Sequence, residues 1–545
     1  VIKAGSDSVS AFTRAVAAGR WVTFFIGTLS LFLLGASWAI SSPLASGPDE
    51  PAHIIKAASV ARGQLLGDPT EKPAVTRVRV PVGLAQANSW PCFAYQPTVD
   101  ASCVPSAASG DQLAEADTSA GLYNPAYYAL VGIPSLATTD PASAVFIMRL
   151  TGVLVASMLL AVTLCAMVRL GAPLLTGVGF LAGMTPMVFF LNGVVNPNSM
   201  EVAAGAATLS SLLVLLRGDS LHTRLWLVVA TVSGILLAQS RALSPLWMAM
   251  IAVVLLIVSP RARIRALLKR WDGRLALAAL FLGVVLASSW TLATGTLGRL
   301  GTFPGAGDVT AKRAFFTMLV DRSFDAGIIG VYGWLDTPSP AFAYVLWSCL
   351  GLGIVILGFL TGRGRLVAGL AVAVAGFLLA PPLVQAVSIS SSGYIWQGRY
   401  GLVAYVVVVI IAGVTFASNR DVVRLTTRRT GRLRFQWVVA PLFVVGHAFS
   451  LVTAIKRYSV GLDGDWLDII RNPSWVPPGG ALTWVLTGAI GAVGILFVIL
   501  AATAGQRGQG VHPSPGRPGS ALEWGERRLG RARKNIQLER TDQHL

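Results

Sequence analysis

Long apolar runs broken by short polar segments set the pattern of this chain. A bilayer core of about 30 Å takes about 20 apolar residues per helix. Runs of that order fall at 21–42, 142–168, 173–193, 198–216, 224–240, 243–259, 274–294, 341–361, 366–387, 399–417, 436–455 and 481–503. The pattern predicts an all-α integral membrane protein with about twelve transmembrane helices. Connections between the runs are uneven. Residues 43–140 form a first extracytoplasmic loop far longer than an ordinary connection, with interfacial helices expected after Pro51 and around 122–128; 295–340 and 456–480 are further outer loops. The expected division is a cytoplasmic N-terminus at 1–20, a polytopic domain at 21–503, and a basic cytoplasmic tail at 504–545 without regular structure between Gln506 and Ser520. The first apolar run is too long for a cleavable signal peptide and lacks a small-residue cleavage site, so it reads as an anchor.

Composition excludes the soluble classes, since 54% of the residues are hydrophobic and 12% charged, against roughly 25% charged in a soluble chain. The charge is arranged by side. Arg169, Arg217, Arg224, the run from Arg261 to Arg274, Arg363, Arg365, Arg420 to Arg434 and the tail all fall on one side, which the positive-inside rule makes cytoplasmic. Most carboxylates fall on the other. The net charge of +18 is thus a topology signal rather than a nucleic-acid footprint, with the tail around Arg527 to Lys534 expected on anionic lipid. Cys165 and Cys349 fall inside apolar runs, whereas Cys92 and Cys103 share the first outer loop with a spacing suited to a disulfide.

Candidate chemistry concentrates where the first helix ends, in Gly47-Pro48-Asp49-Glu50-Pro51-Ala52-His53. The two prolines break one helix and start another, fixing Asp49 and Glu50 at a bend with His53 one turn on. Ile54, Ile55, Ala58 and Val60 then form the apolar face of an interfacial helix, with Lys56 and Arg62 on its wetter side. Two readings stand side by side: an outer-face carboxylate pair available for chemistry, or a pair that caps the new helix. Asp49, Glu50 and His53 are also candidate ligands for a divalent metal such as Mg or Mn, although capping plus a supporting hydrogen bond accounts for the same three residues.

The other outer segments supply cations and rings. Arg241 lies on the outer side against the charge bias, and Arg399 sits at the mouth of a helix among Tyr394, Trp396 and Tyr400; an arginine presents a planar fork suited to phosphate. Lys456 and Arg457 are further phosphate candidates, unless they only snorkel. Trp334, Trp396 and Tyr123 are candidates for sugar or lipid contacts, and His53, Glu201 and Asp336 are candidate polar contacts to substrate. Trp334 reads equally as a membrane-interface anchor.

An outer-face carboxylate, outer-face arginines and interfacial aromatics are the parts needed to move a sugar from a polyprenyl phosphate to a hydroxyl. The carboxylate acts as general base and a cation stabilises the departing phosphate; the leaving phosphate, a weak base, needs no general acid. The segments Pro48-Asp49-Glu50-Pro51-Ala52-His53, Thr185-Pro186-Met187, Asn196-Pro197-Asn198, Gly333-Trp334-Leu335-Asp336 and Gln397-Gly398-Arg399-Tyr400 resemble a bacterial polytopic membrane family long catalogued as a domain of unknown function. That family in turn resembles the C-type glycosyltransferases. The resemblance covers roughly 20–500 and implies a GT-C-like fold in a bacterial plasma membrane and a polyprenyl-phosphate sugar donor. It further implies an envelope glycan or lipid acceptor, with Asp49 at the base position and Glu50 as its neighbour. Many large C-type enzymes carry a soluble outer domain after the last helix; here the tail is cytoplasmic by charge, leaving acceptor recognition to the outer loops. The rival class is a multi-pass transporter or flippase of a lipid-linked precursor, which would place coupling charges near the midplane, where Arg149 and, more weakly, His447 are candidates. A non-enzymatic scaffold for envelope assembly is a third class, and it would have no need of the Asp49/Glu50 pair.

Overall fold

The computed structural model describes residues 20–218, 222–298, 301, 303–321, 325–427 and 434–508. The expectations placed on the first 19 residues, on 428–433 and on the tail beyond 508 lie outside the described residues.

Among the described residues ten helices are long and apolar enough to cross a membrane, and two further spans are bent pairs. The protein is therefore a multi-pass all-α membrane protein, and each span coincides with an apolar run to within a few residues. The bends have a local cause. Pro173–Gly183 and Pro186–Asn192 meet at 63°, where the sequence predicts one helix over 173–193. Thr185 precedes a proline and is extended at φ −72°, ψ 158°, because the proline ring disfavours helical backbone in the residue before it. Ser244–Val258 and Arg261–Lys269 meet at 115° across Ser259-Pro260, so the chain turns away from the span into a short basic helix.

The bundle is built around two of the spans. Asn198–Arg217 packs against Pro141–Arg169 and Thr223–Ser240, and Leu402–Ala417 against Pro173–Gly183 and Ala341–Thr361; both are almost wholly covered. Small residues permit the approach: a Cβ at Gly179 would lie 2.6 Å from the Val409 carbonyl oxygen and 3.0 Å from the Gly413 Cα. Trp271–Thr294 instead exposes Phe281 and Leu292, the side-chain pattern of a lipid-facing helix. The two ends of the bundle differ chemically. At one, Arg217 donates to the Val258 carbonyl, Arg365 to the Ser259 carbonyl at 2.8 Å, and Asn419 to the Thr361 carbonyl at 3.1 Å. At the other lies the long segment after the first helix.

That segment is an ordered cap rather than a loop with two helices lying on a membrane. Three strands, β1 (Asp68–Pro69), β2 (Thr76–Pro81) and β3 (Leu113–Thr118), form an antiparallel sheet in the order β1-β2-β3, with Val78 opposite Ala116. Alternation along β2 turns Thr76, Val78 and Val80 inward, and the helix Glu50–Ala61 is buried beneath the sheet and against Pro125–Gly132. Lys56, expected on a wet face, is fully buried and donates to the carbonyls of Leu65 and Gly121, both at 2.6 Å. Cys92 and Cys103 are joined by a disulfide, with Cα atoms 6.1 Å apart.

Candidate functional site

The first helix ends at Ile40, and the chain then winds through residues 41–49 around a buried cation. Arg149, from the span Pro141–Arg169, donates through Nη1 to the carbonyls of Ala39 and Ser42 and through Nη2 to that of Pro43 and the Ser46 hydroxyl. Its remaining contact is Glu50, bound in a fork with Nε–Oε1 and Nη2–Oε2 both 2.8 Å. Glu50 also accepts from the backbone N–H of Val195 at 2.9 Å and of Gly47 at 3.3 Å. Neither side chain is exposed at all. This corrects two readings. Glu50, expected beside Asp49 in the chemistry or as a metal ligand, has both oxygens saturated; Arg149, the candidate midplane charge of a transporter, is a structural counterion.

Asp49 behaves differently from its neighbour. It stands at the N-cap position of Glu50–Ala61 with φ 65° and makes no side-chain cap hydrogen bond, so the capping reading fails. The left-handed backbone, costly for a residue with a Cβ, turns the carboxylate out of the helix start. There Oδ2 receives Arg399 Nη2 at 2.8 Å; the Asp49 side chain is 54% exposed and that of Arg399 only 2%. Burial is the largest influence on the Asp49 carboxyl and raises its pKa. Arg399, by its charge and its hydrogen bond, is the main opposing influence, and the group is held below the usual carboxylate range.

Arg399 reaches this point because the chain before it is pinned. The helix Arg365–Ser392 carries Pro381 and Pro382, and its Gln385 accepts from the N–H groups of Ile395 and Trp396 while donating to the Gly393 carbonyl at 2.7 Å. The turn Gly398–Gly401 then presents Arg399. Among the described residues its Nε and Nη1 are buried without a hydrogen-bond partner, as are Gln397 Oε1 and Asn198 Nδ2. Buried polar atoms are nearly always satisfied, and an arginine with two unmatched donors beside an open carboxylate is an anion site by its chemistry. Arg241 lies 4.7 Å from the centroid of the Tyr400 ring and Arg399 5.2 Å, so the two guanidinium groups share one aromatic neighbour. Arg241 also donates to Asn198 Oδ1, and Ser244 donates to Glu201 Oε1 at 2.7 Å. Glu201 thus belongs to the frame that positions Arg241.

His53 closes the cap side. Its ring lies 6.0 Å from that of Tyr123 and 5.9 Å from that of Tyr128, and Nδ1 is 2.8 Å from the Tyr128 hydroxyl. Burial pushes its pKa down to about 3; the nearby Asp49 carboxylate opposes that, and Arg241 and Arg399 reinforce it. The imidazole is therefore neutral when folded. Among the described residues no three His, Cys, Asp or Glu side chains converge as a metal set, and with Glu50 saturated the trio Asp49, Glu50, His53 does not fit one. Because His53 titrates near 6.5 in the unfolded chain and near 3 when folded, the unfolded state binds more protons between those values. Stability is full above pH 6.5 and falls as pH drops through the window. The thermal midpoint of the wild type is accordingly expected to fall more between pH 7 and pH 5 than that of His53→Gln, measured in the same detergent; equal falls would remove His53 as a contributor.

Other expected contacts resolve into framework. Arg457 donates through Nη2 to the carbonyls of Phe93 (2.7 Å) and Gln96 (3.0 Å) and to Asp336 Oδ2 (3.0 Å), and through Nη1 to the Val99 carbonyl. Lys456 donates to the Leu462 carbonyl and lies over the Trp466 ring. Both are tied into the framework, Arg457 leaving only its buried Nε without a partner among the described residues, and Asp336 is occupied by Arg457. Trp396 is buried, edge-on to Tyr400, and contributes packing rather than a sugar face. Trp334 donates Nε1 to the Ala45 carbonyl at 2.9 Å and meets Tyr95 edge-to-face at 5.5 Å, which places both rings on the Asp49 side of the cap. Sequence reasoning missed Tyr95, Tyr128 and Asn198. The last two had only their neighbourhood to mark them, whereas Tyr95 lies inside the Cys92–Cys103 spacing.

Crystal structures of ArnT from Cupriavidus metallidurans are similar to this chain over most of both lengths. The one bound to undecaprenyl phosphate has 14% identity and a TM-score of 0.39, covering 91% of this chain and 82% of that one. The apo form has 15% identity and a TM-score of 0.38, with 87% and 76% covered. No curated protein sequence matches. The family model described as "Predicted membrane protein (DUF2142)" matches residues 32–409, a segment that contains Asp49, His53, Arg149, Arg241, Trp334 and Arg399, and by that match the chain belongs to the DUF2142 family.

Proposed function

We propose that the protein is a membrane glycosyltransferase that moves a sugar from a polyprenyl-phosphate donor to a cell-envelope acceptor on the extracytoplasmic face, in a bacterial plasma membrane with both termini cytoplasmic. The observation that carries this reading is the contact between the half-exposed Asp49 carboxylate and the buried Arg399, whose Nε and Nη1 lack partners. Asp49 takes the proton of an acceptor hydroxyl. Arg399, with Arg241 beyond the Tyr400 ring, binds the donor phosphate and stabilises the charge that grows on it as the sugar–oxygen bond breaks. The acceptor oxygen then bonds to the anomeric carbon and the phosphate leaves on its lipid. Against the transporter reading stands Arg149, one of its two candidate coupling groups, which is held by Glu50 in a pair with no exposed surface.

Purified protein in nanodiscs tests this with undecaprenyl phosphate and a panel of polyprenyl-phosphate sugars with envelope acceptors. Wild type is expected to bind undecaprenyl phosphate and form glycosylated product. Arg399→Lys keeps the charge but loses the fork, and should weaken lipid-phosphate binding by about 10- to 100-fold, the worth of a charged hydrogen bond. Undiminished binding by Arg399→Lys would remove the phosphate role. Lipid carried across liposomes without product would favour the transporter.

A further inference from the structure

Four of the five non-glycine residues with positive φ among the described residues gather around Asp49: Ala45 at 57°, Asp49 at 65°, Tyr95 at 58° and Leu335 at 63°. Left-handed backbone is costly for any side chain and a marked outlier for a bulky one, and it persists only where the surroundings over-determine it. At Tyr95 those surroundings are explicit. The Cys92–Cys103 disulfide closes the loop, and Arg457 grips the carbonyls of Phe93, Gln96 and Val99 from inside it. The Leu462 N–H binds the Pro97 carbonyl at 2.8 Å. The same arginine holds Asp336, two residues beyond Trp334, so one cation sets the Tyr95 loop and the Trp334 turn against each other.

The product of this bracing is a tyrosine that is 67% exposed as a residue. Folding gains nothing from forcing an exposed aromatic into a strained conformation, so the arrangement points to something that binds it. The ring meets Trp334 edge-to-face at 5.5 Å, interplanar angle 69°, and Trp334 is tied by Nε1 to the Ala45 carbonyl, four residues before Asp49. Burial, and then the Asp49 carboxylate, push the Tyr95 phenol up while Arg399 opposes them, which places the ring within the field of the reacting groups. Donor phosphate is assigned to the buried side of Asp49, at Arg399. Tyr95 is exposed beside Asp49, away from the buried Arg399, and so is open to a partner other than the donor phosphate.

We propose that Tyr95 and Trp334 form a carbohydrate-stacking platform for the acceptor, held at the Asp49 mouth by the disulfide-closed loop, so that this loop determines acceptor choice. The assignment to the acceptor rests on the transfer reading above; the binding of a sugar ring does not. An exposed aromatic ring suits the apolar face of a pyranose or furanose.

The test uses the full chain in nanodiscs and fluorescently labelled oligosaccharides of mannose, galactose and arabinose as probes. Wild type is expected to bind at least one of them, and Tyr95→Ala to bind it roughly 3- to 10-fold more weakly, the range of an aromatic contact. Tyr95→Phe should bind like wild type, because the stacking face is kept. Replacing both Cys92 and Cys103 by serine should reproduce the Tyr95→Ala loss, while undecaprenyl phosphate binding stays at the wild-type level in every variant. In turnover the loss should appear in acceptor KM and not in kcat. Oligosaccharide binding without any sugar transfer would uphold the platform and sink the glycosyltransferase reading. No oligosaccharide bound by wild type, or equal binding by Tyr95→Ala, would overturn the platform whatever the turnover, as would a variant that lost lipid-phosphate affinity instead.

Discussion

Glu50→Ala is expected to destabilise the whole fold by about 3–5 kcal/mol rather than to silence a folded enzyme, because it leaves Arg149 without its counterion in a site with no exposed surface. That is a large share of a total stability of roughly 5–15 kcal/mol, and the effect should appear as lost folded yield and a depressed thermal midpoint. The location explains the size. Arg149 is bonded to the first helix end, to the turn that follows it and, through Glu50, to the backbone of Val195, so one uncompensated charge loosens three elements together. A double substitution, Glu50→Met with Arg149→Met, removes both charges and should be less damaging than Glu50→Ala alone, since the cost of the single change lies mainly in the orphaned partner. The outcome discriminates between structure and chemistry. A Glu50→Ala protein that melts like wild type but has lost turnover would return Glu50 to the reaction and overturn the counterion role.

The pair Asp49–Glu50 shows what was legible in the sequence and what was not. Two prolines, a carboxylate pair and the end of an apolar run are local signals, and they located the start of the helix Glu50–Ala61. Which carboxylate stays open depends on one left-handed residue and on an arginine ninety-nine positions away from Glu50, and neither leaves a trace in the local pattern. The spans were readable because apolar length alone fixes them; their bends were marked by Thr185-Pro186 and Ser259-Pro260 but masked by continuous hydropathy. The cap sheet escaped because β1 is two residues long and β2 and β3 lie within a polar stretch that reads as loop. The outer cations illustrate a third limit. Arg399, Arg241, Lys456 and Arg457 look alike in sequence, and only the groups around each one separate Arg399, with two buried donors unmatched, from Arg457, braced by four oxygens.

Asp49→Asn is expected to leave the fold and the lipid-phosphate affinity nearly intact while lowering turnover by about 10²- to 10⁴-fold, the range of a lost general base. The amide has the shape of the carboxylate, and the ion pair it removes is half open to solvent and so contributes little to stability. The pH dependence gives a sharper check. In the donor-free protein Arg399 holds the Asp49 carboxyl below its ordinary range against the opposing pull of burial. The base is therefore ionised but weak until something competes for the arginine. A donor phosphate at Arg399 does so, and its own negative charge beside Asp49 favours protonation further, so the pKa rises in the complex. Because kcat/KM reports the free protein and kcat the complex, the acid limb of kcat is expected at a higher pH than that of kcat/KM, and both should vanish in Asp49→Asn. Coincident limbs would mean that the Arg399 contact survives donor binding, and an Asp49→Asn protein with wild-type turnover would remove Asp49 as the base altogether.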